Sequence, residues 1–154
     1  MTPVIRIQRE DFDLTAEIAA LSANRRDIGA VVSFTGLCRN EGGTLAALEL
    51  EHYPGMAEAE IGRVATEAAA RWPLMGLLAI HRYGLVKPGD QIVLVIATSA
   101  HRRAAFEAAD FMMDYLKTRA PFWKREHLAD GTIGGWVEAK ASDDQAVERW
   151  NAGA

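Results

Sequence analysis

Two lysines, Lys117 and Lys124, stand seven residues apart in the stretch DYLKTRAPFWKRE, residues 114–126. Pro121 lies between them; it ends any helix and biases Ala120 away from helical geometry. A cation on a last helical turn and another just past a sharp bend can converge on one point. Two amines meeting there neutralise a phosphate or carboxylate. Phe122 and Trp123 are costly to expose, and a Trp beside two cations more often walls a pocket or interface. The plainer reading pairs Lys117 with Asp114, three residues earlier, as a surface ion pair worth a few tenths of a kcal/mol. Lys124 and Arg125 would then belong to a solubilising loop.

Other candidates are weaker in isolation. His101 and Arg102 are expected in the first turn of a long helix, where cations oppose the dipole and a bound anion would compensate. Arg39 follows a strand and a glycine, where backbone approaches ligand closely. Cys38 reads as a small buried hydrophobe before it reads as a nucleophile. His52 and His81 fall on strands without a metal-ligand partner at useful spacing, so core or surface histidines are expected. No Gly-rich phosphate loop, GxSxG elbow or HExxH is present.

The scaffold is of ordinary size. Its 154 residues, 49% hydrophobic and 25% charged, match a single globular domain spanning 1–154. No apolar run approaches a bilayer span and no signal peptide is seen; the single cysteine rules out an internal disulfide. A cytoplasmic protein is expected. The formal charge of −4 argues against nucleic-acid binding, yet residues 101–125 carry six Lys/Arg against three acids. A local cationic patch on an acidic chain suggests a small anionic ligand or an acidic tail.

The elements that must position these groups can be read in order. Strands are expected at 4–8, 29–35, 45–53, 77–83, 91–99 and 133–139. Residues 45–53 alternate, with Leu48, Leu50 and His52 on one side and Glu49 and Glu51 on the other. The run IVLVIAT is apolar on both faces and should be central. Helices are expected after Asp13 (with Leu14, Ile18 and Leu21 on one face), over 56–72, and from about 100 to 119 with Ser99 as N-cap. In the last of these, Phe106, Ala109, Met113 and Leu116 form the apolar stripe. A short terminal helix opens at 142–144 and ends near Trp150. The Lys87-Pro88-Gly89-Asp90 turn joins two strands as a hairpin. This order favours α+β with a mostly antiparallel sheet and packed helices.

The blocks VVSFTGLCRN (31–40), LELEHYPGMAE (48–58), IHRYGLVKPGD (80–90), TSAHRRAAFEAADFMMDYLKTRAPFWKRE (98–126) and WVEA (136–139) resemble the large, catalytic subunit of molybdopterin synthase. They stand in the family's order and cover most of the chain beyond about residue 28. The resemblance implies a hammerhead-type fold and a reaction. Sulfur from the C-terminal Gly-Gly thiocarboxylate of a small ubiquitin-like partner enters cyclic pyranopterin monophosphate, forming the dithiolene of molybdopterin. It implies a dimer of large subunits within a heterotetramer, and no metal or bound cofactor. Positions matching the family's substrate-binding residues are Leu37, Cys38, Arg39, His101, Arg102, Lys117, Lys124, Arg125 and Glu126. Lys117 matches the essential lysine, and Lys124 joins it as catalytic. The His-Arg pair would reach the neighbouring protomer's site. Position 38 is commonly valine in the family, so Cys38 is not expected to carry sulfur. Lys140 stands where some relatives have arginine. The rival reading is a non-enzymatic dimeric module that binds a small anion or an acidic peptide tail.

Overall fold

The computed structural model describes residues 1–118 and 121–137, together with Glu148, Trp150 and Asn151. The elements within the described residues follow in the order β1 (Val4–Gln8), α1 (Leu14–Ser22), β2 (Ala30–Leu37), β3 (Leu45–His52), α2 (Met56–Arg71), β4 (Leu74–Arg82), β5 (Gly84–Val86), β6 (Gln91–Ser99), α3 (Arg102–Thr118) and β7 (Phe122–Leu128). A short 3-10 turn, Glu41–Gly43, precedes β3.

The strands form two sheets, β1-β4-β6-β2 and β5-β3-β7. Only the β1–β4 pair is parallel; the other named pairs are antiparallel, giving the expected α+β class. The run IVLVIAT lies in β6, an inner strand of the larger sheet, and is apolar on both faces because both faces are covered. On one side Leu77, Ala79, Val93, Val95 and Ala97 pack under α2 and α3, against Ile61, Val64, Ala68, Phe111 and Met112. On the other, Leu78, Ile80, Leu94 and Ile96 meet Phe12 and the α1 residues Leu14, Ile18 and Leu21. Asp13 caps α1, its Oδ1 accepting from Ala16 N at 3.1 Å, as the sequence suggests.

Several expectations need correction. The long helix starts at Arg102, so His101 lies before its first turn. Ser99 is not its cap: it is the buried last residue of β6, and its hydroxyl donates to the Pro73 carbonyl at 2.8 Å. Phe106 is 60% exposed and falls outside the buried face of α3, which takes in the expected Ala109 and Leu116 together with Ala105, Ala108, Met112 and Tyr115. Residues 122–128, read as a bend and loop, form β7 and pair with the whole length of β3. The strand expected at 133–139 reduces to isolated bridges, His127 to Ile133 and Lys124 to Val137; residues 138 and 139 lie outside the described residues. Arg119, Ala120, Lys140 and the start of the terminal helix also lie outside them, whereas Glu148, Trp150 and Asn151 are helical.

Candidate functional site

Lys117 occupies the last turn of α3, where its charge suits the helix dipole. It is exposed, and no described carboxylate lies within ion-pairing distance of it. The simple surface pair with Asp114 does not form, because the Asp114 carboxylate accepts from the Trp150 indole N–H. Its charge helps to lower the pKa of His81, on β4.

His81 is the unusual group of this region. Its Nδ1 lies 2.8 Å from the Arg82 carbonyl oxygen, so Nδ1 carries the proton and donates. Its ring stacks on Phe122, with centroids 3.8 Å apart and planes 18° from parallel. Burial pushes its pKa down to about 4, and the charges of Lys117 and His52 push the same way against the raising influence of the Arg82 carbonyl. His81 is therefore a neutral imidazole at physiological pH. His52 sits on the other side of the arrangement, directly across the β3–β7 ladder from Phe122. Its ring centroid is 5.9 Å from Phe122 and 4.6 Å from Tyr83.

Strand alternation then sorts the cations past the bend. Lys124 lies opposite Leu50 and shares the face of Phe122, Leu50 and His52. Leu50 packs with Cys38 and Val86, which brings the turn at 37–39 to that same side. Two backbone hydrogen bonds tether Cys38 to the Pro-Gly turn: its N–H donates to Asp90 O at 2.8 Å, and its carbonyl accepts from Gly89 N at 2.7 Å. The Cys38 side chain is buried, and burial, aided by the charge of Asp90, raises its thiol pKa. That is the opposite of what a thiolate nucleophile needs. Arg39 pairs with Glu41 at 3.2 Å, both side chains about three-quarters exposed, a contact weak enough for a ligand to displace. Glu126 is exposed, two residues beyond Lys124 on the same face of β7.

Arg125 faces the other way. Its Nε donates to Glu49 Oε1 at 2.7 Å, the same oxygen lies 2.8 Å from His127 Nε2, and its guanidinium covers the Trp136 ring at 4.4 Å. Arg125 is thus engaged on the face opposite Lys124.

His101 and Arg102 line a surface groove with Gly29, Ala100 and Phe106. The groove depends on Gly29, since a Cβ there would stand 2.1 Å from the Ala100 carbonyl oxygen. Fifteen residues of helix separate Arg102 from Lys117, about 22 Å at 1.5 Å per residue. One chain therefore holds the His-Arg pair and Lys117 at opposite ends of α3.

The structure thus puts Phe122, Lys124 and Glu126 on one face of β7 with Leu50, turns Arg125 to the other face, and sets Lys117 and the His101–Arg102 pair at opposite ends of α3. Sequence reading took His52 and His81 as core or surface histidines, and both pack against Phe122. Their only sequence signal is their position in blocks that resemble the family. Among the described residues no three His, Cys, Asp or Glu side chains group as metal ligands. No described helix is long and apolar enough to cross a membrane.

Fold and site together describe an α+β protein with lysines on the last turn of α3 and on β7, and a neutral imidazole, His81, stacked on Phe122. The family model described as MoaE protein matches residues 7–119, and the chain belongs to that family. It is 68% identical over 152 residues to the molybdopterin synthase catalytic subunit of Mesorhizobium japonicum, covering 99% of this chain and 96% of that protein. The Escherichia coli protein of the same name is 56% identical over 130 residues, covering 83% and 85%. Among solved structures, the molybdopterin biosynthesis MoaE protein from Burkholderia ambifaria superposes with a TM-score of 0.85 at 48% identity, over 97% of this chain and 99% of that one. Molybdopterin synthase from Staphylococcus aureus gives 0.77 at 30% identity, over 86% and 95%.

Proposed function

We propose that this chain is the catalytic subunit of molybdopterin synthase, and that sulfur moves in the pocket between Lys117 and Lys124. The donor is the C-terminal Gly-Gly thiocarboxylate of a small ubiquitin-like partner. The acceptor is cyclic pyranopterin monophosphate. Each thiocarboxylate brings one sulfur, so two transfers complete one dithiolene. The observation that carries this reading is Lys117: an exposed cation with no described carboxylate partner, at the end of α3 in a family whose members catalyse this step.

Donor and acceptor are both anions and repel each other, so the pocket's first task is to neutralise them while holding them close. Lys124, with Arg39, takes the pterin phosphate. Glu126 and the backbone at Leu37 and Cys38 line the same side. Lys117 meets the glycyl carbonyl. The thiocarboxylate sulfur bonds to a side-chain carbon of the pterin as a C–O bond at that carbon breaks and its oxygen leaves; Lys117, as a free-amine base, then takes a proton from the water that cleaves the acyl C–S bond, so the sulfur stays on the pterin as a thiolate and the tail leaves as a carboxylate. Arg125 is spent on Glu49 and holds β7 in place without touching the pterin.

The second copy of the chain completes the site. The 22 Å separating the two ends of α3 keeps His101 and Arg102 from their own Lys117, so they serve the neighbour's pocket. The surface for that copy is β2, an edge strand adjoining the His101 groove, on which Val31, Phe34 and Leu37 are exposed at 40–56%. A dimer of this chain with one small subunit on each outer end gives the heterotetramer. A lone buried cysteine and a reaction that carries reduced sulfur suit the cytoplasm.

Reconstitution tests the reading. Purified chain, thiocarboxylated small partner and pyranopterin should make dithiolene product, and Lys117→Ala should lower turnover by about 10²-fold or more with the thermal midpoint unchanged. Equal, negligible product from wild type and variant would leave only the non-enzymatic anion-binding module standing.

A further inference from the structure

Trp150 seats its indole against the two helices that cover the larger sheet. The ring meets Trp72 edge-on at 5.7 Å and Phe111 at 5.4 Å, and those two rings meet each other at 5.2 Å. Arg71, at the end of α2, donates to the Trp150 carbonyl oxygen at 3.2 Å and covers the Phe111 ring at 4.8 Å. Two rings and a guanidinium thus fix the residue, and the indole N–H, which can only donate, has a set direction. It donates to Asp114 Oδ2, on α3. The neighbouring acids are engaged otherwise. Glu107 accepts from Trp72 Nε1 at 2.7 Å and from Arg103 at 3.1 Å, and Glu67 takes Arg71 at 3.1 Å. Asp114 is also the acid one turn before Lys117, at the i, i+3 spacing where helices pair opposite charges.

We propose that Trp150 is a positioning residue for Lys117 and acts through Asp114: the indole holds the carboxylate at the Trp72–Phe111 slot and leaves the lysine amine to the reaction. The helix alone would bring the two charges together. A carboxylate in contact with a lysine favours the ammonium, because a nearby opposite charge stabilises the charged form. An ammonium cannot take a proton from water, so such a pair withholds the base that the reaction needs. A carboxylate turned to the indole acts on the amine only through solvent, where its pull is weak. A residue far along the chain from the lysines thereby sets how much of Lys117 is ready to react.

This inference rests on Lys117 being the base of the proposed function, and the experiment keeps the two ideas apart. In the reconstituted assay, kcat is followed against pH for wild type, Trp150→Phe, Asp114→Asn and the double variant, with Lys117→Ala as the control for the function. Phenylalanine keeps a ring in the slot and removes the N–H. Asparagine keeps an acceptor for the indole and removes the charge. His81, pushed down to about 4, stays neutral from neutral pH upward. In Trp150→Phe the rise of kcat with pH should move up by about half a unit, a roughly threefold loss near neutrality, and still reach the wild-type plateau. The double variant should return to the wild-type curve, and Asp114→Asn alone should follow it within about 0.2 unit. An unmoved curve in Trp150→Phe, or a lowered plateau that Asp114→Asn does not restore, overturns the positioning role. So does a downward shift of about half a unit in Asp114→Asn alone, since the carboxylate would then act on Lys117 despite the indole. Should Trp150→Phe fail to fold, benzothienylalanine in place of Trp150 keeps both rings and puts sulfur where the N–H was. It should give the same upward shift, and an unmoved curve again overturns the proposal. A dead Lys117→Ala beside any of these failures leaves the function standing, whereas an active one overturns function and inference together.

Discussion

Cys38 is where chemistry by residue type and chemistry by environment part company. A cysteine next to Arg39 in a sulfur-transfer family invites the role of sulfur carrier. Its surroundings refuse it: the thiol is buried against Leu50 and Val86, and burial together with Asp90 keeps it protonated. What this position gives the site is backbone, through the two hydrogen bonds that pin the turn to Gly89 and Asp90. Alanine preserves both. Cys38→Ala should therefore keep full turnover in the reconstituted assay and cost about 1 kcal/mol in denaturant unfolding, for the lost packing of one sulfur. Loss of turnover at unchanged stability would return the sulfur to the mechanism. Lys117 shows the complementary case. Its spacing from Asp114 made a surface ion pair a fair expectation, and only the arrival of Trp150, 36 residues after Asp114, removes the carboxylate.

At the level of elements, β7 is held to β3 by a contact that local pattern could not announce. Glu49 Oε1 takes both Arg125 and His127 across the ladder, some 76 residues away in sequence. The alternation of Leu48, Leu50 and His52 against Glu49 and Glu51 was legible, as were the apolar run of β6 and the Asp13 cap, because each depends on neighbours within a few residues. The strand FWKREHL was not. Three of its seven residues are charged, and its β character comes from pairing with β3 and from the Glu49 tie. This tie predicts a pH dependence. Hydrogen bonds from Arg125 and then from His127 hold the Glu49 carboxyl below its ordinary value of 4.5. The unfolded chain therefore binds the more protons as pH falls through that value. Stability from Glu49 is complete above the ordinary value and disappears as pH drops through the lower folded one. Urea midpoints measured between neutral and acid pH should fall more steeply for wild type than for Glu49→Gln. The two curves should converge at the acid end. Parallel curves would mean that the carboxylate contributes nothing to holding β7.

For the molecule as a whole, the length of α3 sets how far Arg102 stands from Lys117. A straight helix cannot bring Arg102 back to Lys117 across about 22 Å. If the pair at 101–102 serves a neighbour, two inactive variants should repair each other. In a mixed dimer of Lys117→Ala with Arg102→Ala, one pocket carries both lesions. The other joins an intact Lys117 to an intact Arg102. After subunit exchange of equal amounts, half the dimers are mixed and each holds one sound pocket, so activity should recover to about a quarter of wild type from two preparations with almost none. Adding a charge on the exposed β2 face, as in Phe34→Asp, should abolish that recovery and shift sedimentation toward the monomer, because the face that would bury Phe34 is also the one that brings Arg102 across. Recovery in the absence of any dimer, or none where mixed dimers are demonstrably present, would place the His-Arg pair outside the shared pocket.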